Sequence, residues 1–130
     1  MMKSLSMLVL GLLLVQSTGY AQQNNQPPKV IGTIPKGGEQ TVDSNLSEIT
    51  VIFSKPMMDK SWSWSYENKD EFPQMTGQPH YSENNTRCSL PVKLEPNKKY
   101  NIWINTSKFT NFKDQAGNPV EPYLFSFKTK

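Results

Sequence analysis

Leu94 to Ile104, reading Leu-Glu-Pro-Asn-Lys-Lys-Tyr-Asn-Ile-Trp-Ile, constrains the fold more than any other stretch of this chain. A Leu-x-Pro-x-x-x-Tyr turn that runs into alternating apolar residues marks the corner at which a two-sheet β-sandwich enters its penultimate strand. The Tyr hydroxyl there returns to upstream backbone. Tyr100, Ile102 and Ile104 fall on one face at period two, and Trp103 falls on the other.

Period two recurs along the rest of the chain. Pro27-Pro28 begins an extended segment that ends at Ile34-Pro35, and Lys36-Gly37-Gly38 turns the chain. Leu46 to Phe53 places Ile49, Val51 and Phe53 on one face, with Thr50 and Ile52 opposite. Met57 to Lys60 is compatible with a single helical turn, and Ser61 to Tyr66 alternates small polar with large aromatic residues, predicting a half-buried strand. Glu67 to Asn85 is irregular, with room for a short strand at His80 to Ser82. Arg87 to Leu94 sets Cys88, Leu90, Val92 and Leu94 on one face, although Pro91 cannot donate to a ladder, so this strand is expected at an edge or with a bulge. Asp114 to Pro119 turns the chain, and Tyr123, Phe125 and Phe127 close the pattern. About seven short strands separated by turn signals predict an antiparallel sandwich.

Lys3, the apolar run Met7 to Val15 and the small-x-small site Gly19-Tyr20-Ala21 read as a secretory signal peptide over residues 1–21, cut after Ala21. A polar leader over 22–26 and one domain over 27–130 follow. The apolar run is about half of the ~20 residues that span a bilayer, and no second such run follows, so an integral membrane protein is not expected. The roughly 109 residues after Ala21 suit one sandwich domain and are too few for two. Loss of Lys3 lowers the formal charge of +3 to about +2, a weak basic bias. Lys98, Lys99, Lys108, Lys113, Lys128 and Lys130 are consistent with an anionic envelope polymer or with a solvated face. Export argues against nucleic acid as a partner. Cys88 is the sole cysteine, which excludes an intrachain disulfide and leaves the hydrophobic core to hold the domain together.

Catalytic chemistry finds little to work with. Cys88 falls on an apolar alternating face, where a small buried hydrophobe is the ordinary role, and His80 is the single histidine. Glu67, Asp70 and Glu71 sit in a polar turn with no apolar pocket evident to separate their pKa values. One Cys and one His cannot build a zinc site. Asp114 to Asn118 lacks the alternating oxygen ligands of a calcium loop and reads as a turn in which Asp114 bonds its own backbone and Gly117 takes positive φ. No cofactor is expected. The aromatics are the candidates for binding: Trp62, Trp103, Tyr81 and Phe72 are the proposed ligand-binding residues, while Trp64 is expected in the core. Trp103 should point outward, either covered by residues 67–85 or open to a partner.

Pro35-Lys36-Gly37-Gly38, Ile49 to Met57 with its Phe-Ser-Lys-Pro-Met end, the Leu94 to Asn105 stretch, Asp114-x-x-Gly117-Asn118 and Phe125-x-Phe127-x-Thr129 occur in this order. Together they resemble the bacterial Ig-like domain described in S-layer proteins, the SbsA-type Ig-like domain, over Pro27 to Thr129. The resemblance implies an all-β, Ig-like antiparallel sandwich and a non-catalytic module of exported proteins, serving as spacer, surface-layer unit or accessory binding domain. The expected role is therefore binding or surface assembly at the bacterial cell envelope, in the periplasm, on the cell surface or outside, with an envelope protein or polysaccharide as partner. A carbohydrate-binding module that uses exposed aromatics, or an accessory or inhibitor subunit of a secreted hydrolase, is the alternative. An exposed coplanar aromatic pair would favour sugar, and an exposed edge strand would favour strand addition. The oligomeric state is not legible.

Overall fold

Residues 26–130 are described by the computed structural model; the signal-peptide reading and most of the polar leader lie outside the described residues. Eight strands follow in chain order: β1 (Val30–Ile34), β2 (Glu48–Phe53), β3 (Trp64–Ser65), β4 (Gln74–Met75), β5 (His80–Ser82), β6 (Arg87–Lys93), β7 (Lys99–Ile104) and β8 (Tyr123–Lys128). They form two antiparallel sheets. One has the order β1-β2-β6-β4, with β5 also on β6, and the other has the order β3-β7-β8. This is the four-on-three layering of an Ig-like sandwich, with its fourth strand delivered in two pieces, β4 and β5.

The alternation seen in the sequence builds the core. Ile49, Val51 and Phe53 of β2, Cys88, Leu90 and Val92 of β6, Ile102 and Ile104 of β7, and Phe125 and Phe127 of β8 are all buried between the sheets. Tyr100 is 1% exposed, and its hydroxyl accepts the Glu95 backbone N–H at 2.8 Å, as the corner motif predicts. Thr129 completes that corner: its hydroxyl donates to the Glu95 carbonyl and accepts the Lys98 N–H at 2.9 Å.

Three local expectations are corrected. Met57 to Lys60 is not helical; Met57 is buried in an isolated bridge to Asp114, and the chain turns through Lys60 at positive φ. The Ser61 to Tyr66 strand is laddered only at Trp64 and Ser65. β6 is neither an edge nor bulged but central, with β2 on one side and β4 and β5 on the other. The irregularity that Pro91 demands falls on its neighbour. From Met75↔Val92 to His80↔Ser89 the outer strand takes five residue steps against three on β6. The missing proline donor therefore faces a break between β4 and β5. Gly77 lies over the proline ring there, where a Cβ would stand 3.3 Å from Pro91 Cγ.

The long β7–β8 connection folds around Asn105, which is fully buried. Its side-chain amide donates to the Phe112 and Val120 carbonyls, and its side-chain oxygen accepts the Phe112 N–H, each at 2.9 Å. This hub was missed in the sequence. An Asn ending a strand at a site of positive φ was the available signal.

Candidate functional site

The two motifs that best define the chain, Phe-Ser-Lys-Pro-Met and Asp-x-x-Gly-Asn, meet in space. Lys55 Nζ lies 2.9 Å from Asp114 Oδ2, and Asp114 Oδ1 accepts the N–H groups of Ala116 and Asn118 at 3.0 and 2.9 Å. Gly117 takes φ 91° to close the turn. Burial pushes the Asp114 carboxyl up, but the Lys55 ammonium and the Asn118 donors outweigh it and hold the group below the usual carboxylate range. All of this chemistry is spent on the turn itself. Among the described residues no three potential metal ligands gather.

Cys88 and His80 do not converge. Cys88 pairs with Tyr81 and faces the core, while His80 pairs with Ser89 and so points to the opposite face. Burial pushes the Cys88 thiol up to about 12, against smaller opposing influences from the Trp64 indole and the Tyr81 hydroxyl, which keeps it an unreactive thiol. Asp70 and Glu71 lie on a single 3-10 turn (Lys69–Glu71), and Glu71 is hydrogen-bonded to Asn101 Nδ2 at 2.7 Å.

The aromatics divide into separate groups. Trp62 and Tyr81 touch across the side of the sandwich, with ring centroids 6.3 Å apart at 42°, and the Tyr81 hydroxyl donates to the Ser61 carbonyl. Burial raises the Tyr81 phenol well above its ordinary pKa. These two residues strap β5 to the segment that enters β3. Phe72 packs on Tyr66 at 5.3 Å and 53°. Trp64 packs edge-on against Phe112 at 5.6 Å; it is half-buried, and its indole N–H is directed toward the Cys88 thiol without completing a hydrogen bond. Trp103 stands apart on the outer face of the three-stranded sheet, half-buried, paired with Leu124 and bordered by Glu67, Asn68 and Glu71. The structure thus brings Trp62 to Tyr81, but brings neither Phe72 nor Trp103 to that pair. The ring pairs are tilted, not coplanar.

A groove runs along the side where β3, the edge of one sheet, faces β4, the edge of the other. Its first part, about 350 Å³, is lined by Trp62 to Ser65, Met75, Pro79, Phe109 and Asn111. A second recess, about 430 Å³, adjoins it through Tyr66 and Gln74, the chain neighbours of Ser65 and Met75, and is lined by Phe72, Glu95 and the lysines 69, 93 and 98. Tyr66, Met75 and Phe109 are 44%, 47% and 50% exposed, a concentration of large apolar side chains in water that is unusual for a small domain. Met75 and Phe109 had no signal in the sequence, because they reach the groove from a two-residue strand and a loop distant in the chain.

β3 leaves its outer edge open. The Ser63 carbonyl accepts the Asn105 N–H at 3.1 Å, so the alternation of an antiparallel ladder aims the N–H and C=O of Trp64 away from β7 and into the groove. The first part is therefore bordered by a strand edge, with Met75 and Pro79 contributed by the other sheet and Phe109 and Asn111 by the β7–β8 connection.

The family model described as bacterial Ig-like domain matches residues 24–129. Two solved structures share the fold. A crystal structure of the S-layer protein rSbsC(31-844) is 20% identical, with a TM-score of 0.52, and a structure of surface layer protein SbsC, domains 1-6, is 20% identical, with a TM-score of 0.53. Each match covers 88% of this chain and 15% of the other, so the chain spans about 15% of the length of those proteins. No curated protein matches the chain.

Proposed function

Because the chain belongs to the bacterial Ig-like domain family, we propose that it is an exported, non-catalytic module for binding or assembly at the bacterial cell envelope. The observation that carries this reading is the open β3 edge flanked by the exposed side chains of Met75 and Phe109. A polypeptide partner fits an unpaired strand edge better than a sugar does, since backbone hydrogen bonds supply affinity there and side-chain pockets supply specificity. The surface-layer character of the SbsC neighbours supports an envelope setting, and removal of residues 1–21 belongs to the same proposal.

The test is cell fractionation of the full tagged chain in a bacterial host, with mass spectrometry of its N-terminus and co-sedimentation with purified envelope. Delivery beyond the inner membrane, cleavage after Ala21 and retention by the envelope are expected. An uncleaved chain in the cytoplasm, or no retention by any envelope fraction, would overturn the proposal.

A second reading, carbohydrate binding, is favoured by one feature. Trp103 and Leu124 form an apolar step beside Asn101 and Glu71, at a recess of about 240 Å³ on the outer sheet face. Loss of Trp fluorescence response to soluble polysaccharides in Trp103→Ala, with the fold intact, is its signature; no response in the parent chain would remove it.

A further inference from the structure

Resting on the polypeptide-binding reading above, we infer that the β3 edge accepts an added antiparallel strand from a partner segment that carries acidic residues at its N-terminal end and small apolar residues on alternate positions after it. Three observations fix this occupant. The Trp64 N–H and C=O face the groove, and a β-strand is the polypeptide form that satisfies such an edge. Met75, on the edge strand of the other sheet, and Phe109, on the β7–β8 connection, both border that edge, at 47% and 50% exposure. Successive side chains of an added strand point to opposite faces, so residues on alternate positions reach these apolar side chains.

The charge of the groove sets direction and composition. The segment that carries β3 runs from Trp62 toward Tyr66, and beyond Tyr66 the groove is lined by Lys69, Lys93, Lys98 and Glu95. Lys98 is paired with Glu95 at 2.9 Å, whereas Lys69 and Lys93 enter none of the ion pairs among the described residues. A strand antiparallel to β3 begins at this lysine end and finishes beside Phe109. Its first residues therefore meet three ammonium groups set against the single carboxylate of Glu95, a net positive end that attracts carboxylates and repels a basic segment. All strand pairs named in both sheets are antiparallel, and that pairing is slightly the more stable per residue.

The probe is a synthetic heptapeptide of two Asp followed by alternating Thr and Val, titrated into the 15N-labelled full chain and compared with a peptide that begins with two Lys. The expected result is shift changes confined to Trp62 to Tyr66, Met75, the loop of Phe109 and the groove lysines 69 and 93. Exchange of the Trp64 amide slows by about tenfold or more, and the Lys-headed peptide binds about tenfold more weakly. Phe109→Lys and Met75→Lys, both at exposed side chains, are expected to lower affinity by about tenfold while leaving spectral dispersion unchanged. Absent binding, unchanged Trp64 exchange, or equal affinity for the two peptides would overturn the inference. Envelope retention that survives Phe109→Lys and Met75→Lys would remove the β3 edge from the envelope role while leaving that role standing.

Discussion

The three-stranded sheet has two edges, and they are treated in opposite ways. Beyond β8, the segment Gly38 to Val42 lies along the strand. Gly38 N–H donates to the Ser126 carbonyl at 2.8 Å, Lys128 N–H to the Glu39 carbonyl at 2.8 Å, and Val42 donates to the Lys128 carbonyl at 3.0 Å and accepts the Lys130 N–H at 2.9 Å. Val42 itself is buried and makes a parallel bridge to Thr129. Beyond β3 no such run of backbone bonds follows among the described residues; the Asn111 backbone is held by the Ser61 and Ser63 hydroxyls, and side chains border the rest of the edge. A sheet edge left open is a liability unless it is used. Covering one edge with backbone while ringing the other with Met75 and Phe109 separates the part of the sheet that holds the fold from the part available to a partner.

That separation is broken most directly in the core behind β8. Phe125 is fully buried and packs on Phe127 at 5.3 Å. Phe125→Ala is expected to cost about 3–5 kcal/mol in equilibrium urea unfolding. A loss near 1 kcal/mol would mean that the core behind the covered edge is far looser than its burial implies.

Asn105 tests the link between the two edges, because its backbone N–H holds Ser63 of the β3 segment while its side chain holds the β7–β8 connection. Asn105→Ala strands a buried N–H and two carbonyls and places a Cβ-bearing residue with no side-chain compensation at positive φ. About 3 kcal/mol is expected from these unmade bonds. Amide exchange should accelerate in β3 more than in β8; equal acceleration would show that the edges are not separately anchored.

The same contrast explains what was legible in the sequence. The covered half is written in local pattern: the alternation of Ile49, Val51 and Phe53, the Tyr100 corner, and the Phe125-x-Phe127-x-Thr129 ending all report a residue's face or turn directly. The groove is different. Met75 and Phe109 come from a two-residue strand and a loop, with no periodicity, and their convergence depends on where β6 sits in its sheet. Pro91 shows why that position was misread: a proline forbids a donor on one side of a strand, and here that side faces the break between β4 and β5. The aromatics of the Ser61 to Tyr66 segment were visible, but the tertiary partner of each ring decides whether it straps the sandwich, as Trp62 does with Tyr81, or stands in the groove, as Tyr66 does.

A smaller effect tests the clamp at the end of β8. Thr129 is fully buried, and its hydroxyl joins the Glu95 carbonyl to the Lys98 N–H. Thr129→Val keeps the shape and loses both bonds, for an expected cost of about 1–2 kcal/mol. A neutral outcome would assign the closure of this end to its backbone bonds, those of Val42 and those that join Thr129 to Lys98 and Asn97 to Lys130.

Acid should act through the Lys55–Asp114 turn. The folded carboxyl titrates below its unfolded value, so the stability it contributes is complete above the ordinary carboxylate range and is lost as pH falls through the folded value. The urea midpoint of the parent chain is expected to drop over that acidic window, and Asp114→Asn should flatten the drop while lowering stability at neutral pH. An unchanged acid slope in Asp114→Asn would place the sensitivity in other carboxylates.

The smallest effect is expected in the groove, and it bears most on function. Tyr66 is 44% exposed, and its one ring contact is with half-buried Phe72. Tyr66→Ser removes apolar surface that water already reaches, so the urea midpoint should move by no more than the equivalent of about 0.5 kcal/mol. An apolar ring that water reaches and that adds almost no stability is then free to contact what enters the groove. A loss of 2 kcal/mol or more, against the ~0.5 expected of a surface site, would instead make Tyr66 part of the strap that Trp62 and Tyr81 form, and the groove would shrink to the Met75 and Phe109 walls around the β3 edge.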